Sequence, residues 1–177
     1  MPFTIRKAVP ADARGYIALI KGILREQPPV DTPYAPDEFD PPLEGIRQRI
    51  ADVAQLDNSL FLIAEAERKI VGTLTCGGGT LKADHHMTAL GVYVAKEWRD
   101  QGIGGALMKR CVEWAKASPE VERVELEVYA QNARAIHVYE KFGFEREGVK
   151  RHLYTQNGAP IDMLIMALLL EKPLEKR

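Results

Sequence analysis

Between Thr88 and Ala130 an apolar strand pattern, a glycine-bearing turn, an amphipathic helix pattern and a second strand pattern follow one another. One helix between two strands brings the second strand back parallel to the first, so this order commits the chain to a parallel pair inside an α/β sheet. The turn reads Arg99-Asp100-Gln101-Gly102-Ile103-Gly104, after which Ile103, Ala106, Leu107, Cys111 and Trp114 mark one helix face to about Lys116.

The flanking sequence extends this unit in both directions. Phe3 to Ala8 alternates as a strand and is followed by Pro10 and Asp12, which open a helix carrying Ala13, Ile17, Ile20 and Leu24 on one face. A second helix fits Glu44 to Val53. Leu60–Ala64 and Ile70–Cys76 read as a hairpin around the charged turn Glu65 to Lys69, and Gly77-Gly78-Gly79 reads as a flexible connection to the next strand. After the strand at Arg123 to Ala130, Asn132 opens a short helix that Gly143 ends. Two last strands, Phe144–Tyr154 and Ile161–Leu170, join around Asn157-Gly158. The order βααββ-β-α-β-α-ββ predicts a mixed sheet of about seven strands with four helices. With 177 residues, one domain spanning 1–177 with a core over about 3–170 is expected.

Composition excludes several classes of function. Lys and Arg total 24 against 25 Asp and Glu, a net charge of −1, so no overall field draws the chain to nucleic acid or anionic lipid. The longest apolar run, Ile161 to Leu170, contains Asp162 and is about half of a membrane span. Two cysteines are too few for a disulfide scaffold, and Met1 to Ala8 lack the apolar core of a secretory signal, so a cytoplasmic location is expected.

A strand that ends in a glycine turn and runs into a helix presents unpaired N–H groups and the positive end of the helix dipole at one place. Gly102 and Gly104 let an anion approach the main chain there, and Arg99 and Gln101 add side-chain donors. Such a string arises by chance on the order of 0.2 times in a chain of this length, so alone it decides little. Downstream, Leu126-Glu127-Val128-Tyr129 leads to Asn132, Ala135 and Tyr139-Glu140-Lys141-Phe142-Gly143-Phe144. The R-x-x-G-x-G turn at Arg99–Gly104 and the N-x-x-A-x-x-x-Y-E-K-x-G-F segment at Asn132–Phe144 together resemble the GNAT superfamily of N-acetyltransferases. Ile5-Arg6-Lys7-Ala8 with Asp12, and Ile70-Val71-Gly72, extend the resemblance to nearly the whole chain.

That resemblance implies a sheet splayed between its fourth and fifth strands, acetyl-CoA as cosubstrate without a metal, and acetylation of a small-molecule or peptide amine. It implies that backbone groups of Val92, Tyr93 and Val94 hold the pantetheine and polarise the thioester, and that the pyrophosphate lies on Arg99, Asp100, Gln101, Gly102, Ile103, Gly104 and Gly105. Asn132 and Ala135 match cofactor-contacting positions, although Asn132 is equally natural as an N-cap. Tyr139 matches the usual general acid, since a phenol with pKa near 10 is protonated at neutral pH and can donate to a leaving thiolate. A core aromatic is the alternative.

The base depends on the acceptor. A lysine-like amine must lose its proton at a cost of about 4–5 kcal/mol at pH 7, an α-amino group at about 1. Glu125 and Glu127 alternate with Val124, Leu126 and Val128, so one face of that strand meets water or a cleft. Glu127 resembles the proton-accepting glutamate of ribosomal-protein alanine N-acetyltransferases. A solvated glutamate, with a water chain as base, stays open.

His85-His86 carries no metal expectation, because neighbours in an extended chain point apart and no third ligand stands near in sequence. The segment Glu26 to Leu43 holds six of the eleven prolines, five acids and no Lys or Arg. In the family it borders the acceptor site, where its charge suits a cationic or polar amine. A stiff solvated loop is the other reading. The last two strands offer an edge for a homodimer. A non-catalytic acetyl-CoA-binding module is the alternative to an enzyme.

Overall fold

The chain forms β1 (Thr4–Lys7), α1 (Ala13–Leu24), α2 (Leu43–Val53), β2 (Leu60–Ala66), β3 (Lys69–Gly78), β4 (Met87–Val94), α3 (Ile103–Ala117), β5 (Arg123–Tyr129), α4 (Ala133–Lys141), β6 (Glu145–Gln156) and β7 (Ala159–Leu169). The computed structural model describes residues 2–26, 32, 34–35, 37–156 and 158–171. The Asn157 half of the expected last turn, and much of the proline-rich segment, lie outside the described residues.

All seven strands lie in one sheet in the order β1-β2-β3-β4-β5-β7-β6. Every neighbouring pair is antiparallel except β4–β5, which is parallel, as the α3 connection requires. Central strands bury both faces, which is why β2 reads as a continuous apolar run. Leu60, Leu62 and Ala64 share one core with Ile103, Leu107, Met108 and Cys111 of α3. Phe61 and Ile63 face the other way, onto Tyr16 and Ile20 of α1 and Ile46 and Ile50 of α2. On β5, Val124, Leu126 and Val128 belong to the α3 side, while Glu127 is exposed on the opposite face.

Two local expectations change. The β2–β3 turn narrows to Glu67-Arg68, both with positive φ (50° and 61°), the geometry of a two-residue hairpin turn. Glycine or asparagine usually marks that turn, so its absence makes the loop read longer in sequence. Gly77 and Gly78 are not a flexible connection but the end of β3, paired with Ala89 and Thr88. A Cβ on Gly78 would lie 2.1 Å from Cγ of buried Asn58, so close approach is what demands glycine there.

Candidate active site

Strands β4 and β5 are in register only at Met87–Arg123, Thr88–Val124 and Ala89–Glu125. Beyond Ala89 they part. β4 stays bonded to β3 through Val94–Gly72, but among the described residues no strand lies beside its other edge there, and main-chain groups face a cleft of about 620 Å³. Val92, Tyr93, Val94, Gly104, Glu127, Asn132, Ala135 and Tyr139 all line it.

One end of the cleft suits an anion. Gly102, at φ 84°, is the N-cap of α3, and the first helical bond there runs from Ala106 N–H to Gly102 O. The N–H groups of Ile103, Gly104 and Gly105 therefore have no acceptor within the helix. Ile103 contributes only its main chain, because its side chain is core. Gln101 turns its amide back to Glu97 O at 2.8 Å. Arg99 lines the cleft and donates Nε–H to Val94 O at 3.0 Å, while its Nη2 meets Glu26 Oε2 at 2.6 Å. Asp100 pairs with Arg134 at the start of α4, and of the two only Arg134 lines the cleft.

Glu26 and Arg134 are lining residues that sequence reasoning missed. Glu26 lies two residues past α1, 73 positions before the arginine it binds, and no local pattern links the two. Of the acids in the Glu26–Leu43 segment, Glu26 is neutralised by Arg99 and Asp40 by Lys21 at 2.5 Å. The negative charge expected to steer a cationic acceptor is thus partly spent within the fold.

At the other end stand the groups suited to acid–base chemistry. Asn132 caps α4 by accepting the Ala135 N–H at 3.0 Å. Two turns on, Tyr139 packs its ring against Phe144 with centroids 6.0 Å apart. Its hydroxyl has no hydrogen-bond partner among the described residues. Burial, with a smaller contribution from Tyr93, pushes the phenol up to about 12, so it is a proton donor at any working pH. Glu127 is ion-paired with Lys150 of β6, whose ammonium it holds above its ordinary pKa. Tyr129 donates to Thr32 O at 2.7 Å, which brings this part of the proline-rich segment against β5.

A second group of polar side chains lies at the opposite end of β4. Asp57 and Glu120, from loops distant in sequence, do stand near His85, with ligating atoms of all three within 4.8 Å. Sequence proximity could not reveal them. The Asn58 amide nitrogen is held by Gly79 O (2.9 Å) and His85 O (3.0 Å) and faces His85 Nδ1 at 3.2 Å. The other ring nitrogen, His85 Nε2, lies 3.1 Å from Asp57 Oδ1. Among the described residues no helix is long and apolar enough to cross a membrane.

The acetyltransferase (GNAT) family model matches residues 21–144. An L-amino acid N-acetyltransferase, AaaT, of Escherichia coli strain K12 is 33% identical over 121 residues, 68% of this chain and 73% of that protein. The structure of a GNAT-family acetyltransferase from Streptococcus pneumoniae superposes with a TM-score of 0.89 at 28% identity, covering 96% of this chain and all of that one. A phosphinothricin acetyltransferase of Sinorhizobium meliloti, solved in complex with acetyl-CoA, shares the fold with a TM-score of 0.82 at 22% identity, over 99% of this chain and 95% of that one. The parted strands, the glycine turn at the head of α3 and the match over most of the sequence lead to one conclusion: this chain belongs to the GNAT family of acetyltransferases.

Proposed function

We propose that the protein is an acetyl-CoA-dependent N-acetyltransferase that moves an acetyl group to a primary amine by direct attack on the thioester. The observation that carries this reading is the cleft beyond Ala89, which has an open helix N-terminus at one end and, in its wall, the Tyr139 hydroxyl, without a hydrogen-bond partner among the described residues. The residues present fit the cosubstrate. The N–H groups of Ile103, Gly104 and Gly105, with Arg99 beside them, would hold its diphosphate. A Cβ on Gly102 would meet nothing within 4 Å, so the approach is open. The free edge of β4 at Val92–Val94 offers main-chain partners for an amide-bearing arm.

Acetyl-CoA supplies the activated thioester. The protein's part is to deprotonate the amine, to place N–H donors of β4 where negative charge develops on the carbonyl oxygen, and to protonate the departing sulfur. Glu127 takes one proton from the bound ammonium and passes it to solvent, the neutral amine then attacks the thioester carbon, and the second nitrogen proton leaves to solvent after the C–N bond has formed. Tyr139 gives its proton as the C–S bond breaks and regains one from solvent. Acceptors compatible with this site are small amines, amino acids, antibiotic-like amines and peptide N-termini. A thiol-release assay over such a panel, with mass detection of products, tests the reading beside calorimetry with CoA. Binding of CoA with no acetylated product would leave a cofactor-binding module, and absence of both would remove the reading.

A further inference from the structure

The open face of β5, β7 and β6 carries an ion pair beside an apolar floor. Glu127 lines the cleft and meets the Lys150 ammonium; each is the other's one ion-pair partner among the described residues. Lys150 lies opposite Met163, which in turn lies opposite Tyr129, so the three share one face. Past Lys150, β6 bulges. Three of its residues, 151–153, stand against Asp162 alone, whose Oδ1 accepts the His152 N–H at 2.7 Å, before pairing resumes at Tyr154–Ile161. The bulge keeps Tyr154 on the face of Lys150, next to the packed group of Tyr129, Ile161 and Met163. The next cation along that face, Arg123, is already gripped by Glu147 and Glu125 at 2.5 and 3.0 Å.

We propose that the Glu127–Lys150 pair is a receptor for the two charges of a free α-amino acid, with Lys150 as the specificity-determining anchor for the carboxylate. This rests on the acetyltransferase reading above and narrows its acceptor. The ammonium of the amino acid takes the place of Lys150 on Glu127, where its proton is later received. Lys150 turns its freed ammonium to the carboxylate, and the side chain lies on Met163, Tyr129 and Tyr154. The exchange is charge-balanced. Both side chains are partly exposed, 35% for Glu127 and 46% for Lys150, and opening such a pair costs no more than about 1 kcal/mol. An amine without a carboxylate leaves Lys150 unpaired, and a peptide N-terminus offers a neutral amide where the carboxylate belongs.

The test compares kcat/KM for L-leucine, L-methionine and L-phenylalanine, each against its amide and its decarboxylated amine, with acetyl-CoA saturating. The free acids are expected to lead by about 30-fold, the value of a charge-assisted contact. Lys150→Gln should bring the ratio within about threefold of unity, and Lys150→Arg should restore most of it. Amides or amines equal to or better than the acids overturn the inference while leaving the acetyltransferase reading intact. So does a Lys150→Gln enzyme that slows acid and amide alike, which marks a structural role. No product from any of these compounds while CoA still binds overturns the inference, and the acetyltransferase reading is then decided by the wider acceptor panel.

Discussion

Arg99 and Glu26 form an ion pair of 2.6 Å that ties the end of α1 to the turn before α3. The second oxygen of Glu26 accepts the Lys96 N–H at 3.1 Å, so one carboxylate holds both the cation and the main chain of the anion-binding turn. The carboxylate side chain is only 10% exposed. Removing the arginine therefore strands a shielded charge, a larger effect than loss of a surface pair.

Arg99→Ala is expected to lower stability by about 2 kcal/mol, or roughly 4–8 °C in Tm for a domain of this size, and to weaken acetyl-CoA. Adding Glu26→Gln should recover much of the stability and little of the affinity. A double-mutant cycle by chemical denaturation, with calorimetry on each variant, separates the two. Equal stability losses with and without Glu26 would show that the pair is not coupled.

Tyr139→Phe is expected to lower kcat by about 100-fold with little change in KM for acetyl-CoA, as befits loss of a general acid. The fold should hold, because the hydroxyl has no partner to lose among the described residues. With the phenol raised to about 12, wild-type kcat should show no loss of the acid below about pH 10. The same shift favours the folded state while the phenol is protonated. That contribution is present below the unfolded pKa near 10 and is lost as pH rises towards 12. A pH–rate profile falling between pH 8 and 9, absent in Tyr139→Phe, would point to a less buried acid.

Asp12 anchors the first turn. Its carboxylate accepts from Arg6 at 2.7 and 2.9 Å and from the Val9 N–H at 2.8 Å. Burial alone would raise this carboxyl, but the Arg6 and Val9 bonds outweigh it and hold it below the usual range. A lowered carboxylate pKa contributes stability above the unfolded value near 4 and loses it as pH falls through the folded one. Asp12→Asn should cost about 1–2 kcal/mol at pH 7 and much less below pH 3, read as a shallower acid limb in denaturation. A constant difference across pH would remove the electrostatic account.

Gly102→Ala tests the head of α3. The position has φ 84° but open space around a Cβ, so the cost is backbone strain of about 1 kcal/mol rather than a clash. Acetyl-CoA affinity should fall further than stability, because the new methyl stands where the ligand approaches. Unchanged CoA binding by calorimetry would place the anion elsewhere.

The elements of this fold were legible in the chain because each rests on local chemistry: the apolar period of α3, the glycine turn before it, the Asn132 cap, and strands bounded by turn residues. The match of Arg99–Gly104 and Asn132–Phe144 to one family used the same local strings. Alternation on β5 also announced an open face for Glu127. What side chains do across that face was not legible. The Lys150 partner of Glu127, the Thr32 carbonyl on Tyr129, the Glu26 clamp on Arg99 and the approach of Asp57 to His85 join residues far apart in the chain. The contacts across the sheet are set by strand order, register and the bulge in β6, and those of Glu26 and Asp57 by where the connecting segments settle. A one-residue slip of register would turn Glu127, Tyr129 or Lys150 to the other face, so periodicity could mark the surfaces but only the assembled fold could choose the pairs.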